Sequence, residues 1–319
     1  MAAPTETESR PTLIEEIRDE SLAFWRHMPD KGLFFGLLAA WLGLFHFLGN
    51  AVLGYVKTSS LLHWMYHEYE TSADYGHGFL MPFVVVGLFY WRRKQLMAVP
   101  KRIWWPALAL IVFALFVHVF GYIVQFPQVS IVALFSGIYG LMGLVWGRDW
   151  LRASFFPMAM FAFAVPLGTL GEAVTFPMRV LAAKITAGIC SGILGIDVIL
   201  QGTLFFDSAK KFQYNVEAAC GGIRSLIALL GISTIYGYVS FESNWRRAIV
   251  SLAAFPLAIA GNVFRLVCII IAAALFGQEQ GNFVHDNFVL SLLPYLPAIV
   301  GLMLLGNGLR ERSRLAVPN

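Results

Sequence analysis

Long apolar runs separated by short, mostly basic links set the pattern of this chain. Eight runs read as membrane spans, at about residues 33–53, 78–91, 104–124, 129–146, 153–170, 220–240, 248–276 and 289–309. A helix needs about 20 residues to cross roughly 30 Å of hydrocarbon, and the second run falls short of that. The pattern breaks over residues 171–216, too polar to cross the bilayer and too long for a turn. EAVTFPMRVLAAKITAGICSGILG sets Val180, Leu181, Ile185, Ile189 and Ile193 at helical spacing, with Arg179 and Lys184 elsewhere on the helix. That spacing predicts an amphipathic helix on the membrane surface. IDVILQGTLFFDSAKKFQYNVEA then carries β-branched and aromatic residues around a turn at residues 207–210, which predicts a small β-hairpin. The first 30 residues are polar and of mixed charge, and Ile14, Ile17 and Leu22 give at most a surface amphipathic helix. No apolar stretch followed by a cleavage site marks them as a signal peptide.

Composition agrees with a polytopic membrane protein. Of the 319 residues, 58% are hydrophobic and 13% charged, against about 25% charged in an ordinary soluble domain. The net charge of +4 suggests nucleic acid only until the basic residues are located. With the N-terminus inside and eight spans alternating, sixteen of the 23 Lys and Arg fall on the inner side, in clusters such as Arg92, Arg93, Lys94, Lys101 and Arg102. Such a bias is how cytoplasmic loops are recognised. Both termini are therefore expected in the cytoplasm, and no nucleic-acid partner is implied. The expected fold is all-α and polytopic, with about eight transmembrane helices, an extracytoplasmic amphipathic helix and the hairpin. Residues 1–32 form a cytoplasmic segment, 33–309 the transmembrane domain with 171–219 as an extracytoplasmic insertion, and 310–319 a cytoplasmic tail.

Three side chains stand out against this background. Cys220 lies where the outer segment enters the sixth span, with Gly221 and Gly222 beside it and Arg224 four residues on. The glycines allow a close approach to the backbone. A guanidinium and a helix N-terminus each favour the thiolate, which is the nucleophile. Cys190 and Cys268 have no such setting, although a Cys190–Cys220 disulfide is compatible with an oxidising compartment. Arg265 sits deep in the apolar FPLAIAGNVFRLVCIIIAAALFG, about eleven positions, or roughly 16 Å of helix, from the outer end. An arginine there costs at least about 2.5–3.5 kcal/mol unless it is partnered, and Asn262 shares its face three residues earlier. His285 lies in GQEQGNFVHDNFVL, the outer link between the last two spans, and histidine exchanges protons near neutral pH. Thiol, guanidinium and imidazole thus converge on one side of the membrane.

Other chemistries have weaker support. His63, His67 and His77 with Glu68, Glu70 and Asp74 offer ligand atoms in one loop, but no H-E-x-x-H or paired-Cys motif accompanies them, and no metal is expected. No G-x-S-x-G, Walker or dinucleotide motif is present, so no cofactor is implied. A transporter or glycan- or lipid-handling protein that uses Arg265 to bind an anionic substrate is the principal rival. A non-catalytic scaffold for exopolysaccharide assembly is a third reading.

In this order, VEAACGGIRSL (residues 216–226), then Pro256, Asn262 and Arg265 as P-x(5)-N-x-x-R, then His285, the chain resembles the exosortase/archaeosortase family. DYGHGFLMP at 74–82 is similar to that family's Y-S-H-G-F-L-V-P, and the resemblance runs from about residue 35 to 309. Gly221 and Gly76 stand where the family commonly has Ser. The resemblance implies a cysteine protease or transpeptidase of the bacterial inner membrane. Its partners would be exported proteins ending in a sorting signal (PEP-CTERM and relatives), an apolar helix and a basic tail. A lipid or exopolysaccharide would be a candidate acceptor. It also implies Cys220 as nucleophile, Arg265 stabilising the thiolate or oxyanion, and His285 moving protons. Asn262, Arg224, Glu217 and His77 would be supporting residues.

Overall fold

The computed structural model describes residues 12–50, 56–72, 74–208, 212–215, 222–287, 290 and 295–309. It is mostly helical and divides into two compact units, Met1–Pro166 and Leu167–Asn319.

The helices of the first unit are α1 (Leu13–His27), α2 (Lys31–Phe47), α3 (Leu61–Thr71), α4 (Met81–Trp91), α5 (Arg93–Ala98), α6 (Ala107–Ile123), α7 (Pro127–Trp146) and α8 (Arg148–Ala159). Thr12 and Glu15 form a capping box that starts α1, and α1 meets α2 at 91°. Ile14, Ile17 and Leu22 remain exposed on it, as an interfacial amphipathic helix requires. Further along, Gly137 on α7 gives up its side chain to the Trp41 ring of α2, where a Cβ would lie 1.9 Å from a ring carbon. Trp41 Nε1 donates to the Leu134 carbonyl at 3.1 Å, so this close approach is also hydrogen-bonded. The run at 153–170 is not one helix. Pro157 lies in the last turn of α8, a 3-10 segment covers Met160–Ala164, and the next helix begins only at Thr169.

The second unit contains α9 (Thr169–Gly192), β1 (Ile199–Gln201), β2 (Leu204–Phe206), β3 (Gln213–Asn215), α10 (Gly222–Ser240), α11 (Asn244–Leu252), α12 (Ala254–Phe276), α13 (Gln278–Asp286) and α14 (Tyr295–Leu309). The expected surface helix is there as α9, yet its 24 residues are long and apolar enough to cross a membrane. Its polarity in sequence is deceptive because Arg179 is buried and ion-paired with Glu172 of the same helix. By length and composition, four described helices can span: Pro127–Trp146, Thr169–Gly192, Ile223–Ser240 and Asn244–Phe276, or five if the bent α1–α2 pair counts as one. Gly76–Trp91, Ala107–Ile123 and Tyr295–Leu309 are shorter apolar helices, so the described residues do not show eight full-length spans.

The hairpin is a three-stranded antiparallel sheet in the order β1-β2-β3. The turn expected at residues 207–210 falls between β2 and β3, and a further turn through Gly202 (φ +65) joins β1 to β2. Phe205 and Tyr214 pair across the sheet and, with Phe212, pack onto Ala183 and Cys190 of α9 and Leu266, Ile269, Ile270 and Ala273 of α12. The sheet thus covers the C-terminal half of the helix that carries Arg265.

Candidate functional site

Arg265 is the twelfth of 23 residues in α12, and how it meets His285 follows from the chain reversal beyond it. Gly277, at φ +94 in the left-handed region that favours glycine, ends α12. What sequence suggested was a plain outer link is instead α13, which packs back along α12. At 1.5 Å per residue, about eight residues of α13 retrace much of the roughly 16 Å between Arg265 and the end of α12. His285 thereby comes level with Arg265, whose Nη2 donates to the His285 carbonyl at 3.0 Å. Arg265 Nε is buried and has no hydrogen-bond partner among the described residues.

His285 is itself oriented. Its Nδ1–H donates to Asp286 Oδ1 at 2.5 Å, leaving Nε2 as the nitrogen that can accept a proton. Asp286 had no role in the sequence reading; the adjacent His-Asp pair was its only signal. Asn262 is buried on α12 one turn before Arg265. Arg224, in the first turn of α10, is exposed. Tyr295, the first residue of α14, lies within electrostatic reach of both Arg224 and Arg265. Cys220 and Glu217 lie outside the described residues. Chain connectivity still bounds the cysteine, since two residues span at most about 7 Å ahead of Gly222.

Residues 69–310, more than half of the chain, match the transmembrane exosortase family (Exosortase_EpsH). The chain belongs to that family. No curated protein and no solved structure matches it. The matched region of this exosortase contains Cys220, Arg265, His285 and every supporting residue named from sequence.

One of the supporting residues named from sequence has another occupation. His77, in the first unit, turns Nδ1 to the Asp74 carbonyl at 3.1 Å and Nε2 to the Phe163 carbonyl at 2.9 Å. Both ring nitrogens face main-chain carbonyls, to one of which a neutral imidazole donates, and this staples the 3-10 segment Gly76–Leu80. Cys190 is a free thiol enclosed by the core of the second unit. Among the described residues, no three His, Cys, Asp or Glu side chains converge as metal ligands would.

Proposed function

We propose that this exosortase is a membrane-embedded cysteine protease or transpeptidase. In this reading it cleaves the C-terminal sorting signal of exported proteins at the outer membrane–water interface. The observation that carries the reading is the divided guanidinium of Arg265. One nitrogen holds the backbone of the histidine, and a second, buried one is unclaimed among the described residues. A buried donor without a partner is costly, and an anionic centre formed during reaction would satisfy it.

The chemistry then runs in two halves. His285 Nε2 first takes the Cys220 thiol proton; the thiolate attacks the scissile carbonyl, and the tetrahedral oxyanion is met by Arg265. Collapse breaks the C–N bond, His285 Nε2 delivers a proton to the departing amine, and an acyl thioester remains on Cys220. His285 next takes a proton from the acceptor, whether water, lipid or glycan, which attacks the thioester and regenerates the thiolate. Asn262 and Arg224 are assigned to positioning the guanidinium and the thiolate, Glu217 to the approach of the substrate. His77 keeps only an indirect part, through the staple described above.

The level of the site supports this reading. Asn244–Phe276 runs for 33 residues, more than the roughly 20 that hydrocarbon needs. The sheet and α9 cover one face of the surplus, so Arg265 would sit at the base of an extracytoplasmic layer. Both termini and the basic links would face the cytoplasm of a bacterial inner membrane.

The test is processing in cells of a reporter ending in a short motif, an apolar helix and a basic tail. Cys220→Ala should abolish cleavage at unchanged protein level. A transporter that uses Arg265 to bind an anion would tolerate Cys220→Ala and lose function only with Arg265→Ala.

A further inference from the structure

Two segments must meet for the proposed reaction, the one leading to Cys220 and the one bearing His285. β3 ends at Asn215, five residues before Cys220 in the chain, and α13 begins at Gln278, seven residues before His285. The Gln278 side chain is one tie between these two elements. Gln278 Oε1 accepts from the Gln213 backbone N–H at 2.8 Å, and its Nε2 donates to the Gln213 carbonyl at 3.3 Å. Nε2 also donates to Asn282 Oδ1 at 3.0 Å, one turn along α13, which fixes the amide's orientation. Because β2 occupies the other edge of β3, the Gln278 amide stands where a fourth strand would pair.

A second contact reinforces the first. Tyr214 OH donates to the Gln278 main-chain carbonyl at 3.0 Å. Gly281 admits that ring, since a Cβ there would lie 2.0 Å from the hydroxyl oxygen. Burial and the Asp286 carboxylate push the Tyr214 hydroxyl above its usual pKa, so it remains a donor at neutral pH.

We propose that Gln278 is a positioning residue that yokes the strand leading to Cys220 to the histidine-bearing helix, so that Cys220 and His285 are held in register. This inference rests on the proposed function. The yoke is not what keeps the unit folded, because the apolar cluster beneath the sheet does that. Its effect is geometric, and misplacing a reacting group by about 1 Å can cost about 100-fold in rate.

The experiment uses the full chain in nanodiscs with Cys190→Ala, Cys268→Ala and His285→Cys, leaving thiols only at 220 and 285. Dibromobimane, a short probe that fluoresces on bridging two thiols, reports their proximity without any catalytic turnover. With Gln278 present the probe should bridge them; adding Gln278→Ala should slow bridging at least about tenfold, with total thiol labelling and the melting midpoint unchanged. Gln278→Glu keeps the acceptor but not the donor and should fall between, which covers the case in which Gln278→Ala does not fold. In the otherwise native protein, Gln278→Ala should lower kcat and leave KM in place. Equal bridging with and without Gln278 overturns the yoke alone. No bridging in the parent overturns the convergence of the site, and the yoke with it.

Discussion

An arginine midway along an apolar helix needs a claimant for each of its hydrogen-bonding edges, and Arg265 has one in the His285 carbonyl. Lysine would keep the charge but lacks the planar fork that serves two acceptors at once. Arg265→Lys is therefore expected to fold and insert, yet to lose about 100-fold or more in processing rate, the scale of removing one oxyanion donor. Single-turnover cleavage of a tailed substrate in nanodiscs measures this, and a near-normal rate would deny Arg265 its role. Asp286 calls for a smaller figure. Its carboxylate is 74% exposed, where solvent screens the attraction, so Asp286→Asn should slow processing by less than about tenfold. At this scale the sequence was informative about Arg265 and His285, because charge in an apolar run and a histidine at its outer end are visible as letters. Asp286, Tyr295 and Gln278 were not legible. Their partners come from chain reversal and helix packing, which no spacing rule encodes.

Elements were read with mixed success, and the errors share a cause. The 3.6-residue periodicity of α9 is legible, but Arg179, which reads as part of a polar face, is buried and ion-paired with Glu172. The link carrying His285 was taken as a loop because nine residues offer too short a pattern, although Gly277 marks the reversal into α13. The β-branched and aromatic residues make strands legible, but they predict a hairpin, and the turn through Gly202 adds a third strand. Two predictions belong here. Gly281→Ala drives a methyl against the Tyr214 hydroxyl and should cost about 1–3 kcal/mol of stability as overpacking does, read from the melting midpoint in detergent. Asp197 accepts hydrogen bonds from the Ser208 hydroxyl and backbone N–H, which hold its pKa below the ordinary carboxylate value. A lowered folded-state pKa adds stability above the unfolded pKa and forfeits it as pH falls through the folded one. The melting gap between the native chain and Asp197→Asn should therefore be full at neutral pH and close in acid; a gap that widens in acid contradicts the assignment.

For the whole molecule, membrane residence and family membership rest on firm ground: apolar helices that can span and a family match from 69 to 310. The full count of crossings was not legible, because several apolar runs form short or broken helices whose hydropathy resembles that of complete spans. The second unit holds Arg224, Arg265, His285 and the described residues on either side of Cys220. The most direct measurement is mass spectrometry of the acid-quenched enzyme after mixing with such a substrate. The account predicts a hydroxylamine-sensitive acyl adduct on the peptide containing Cys220, formed before product and absent in Cys220→Ala. Product appearing at the normal rate with Cys220 unmodified throughout would contradict it.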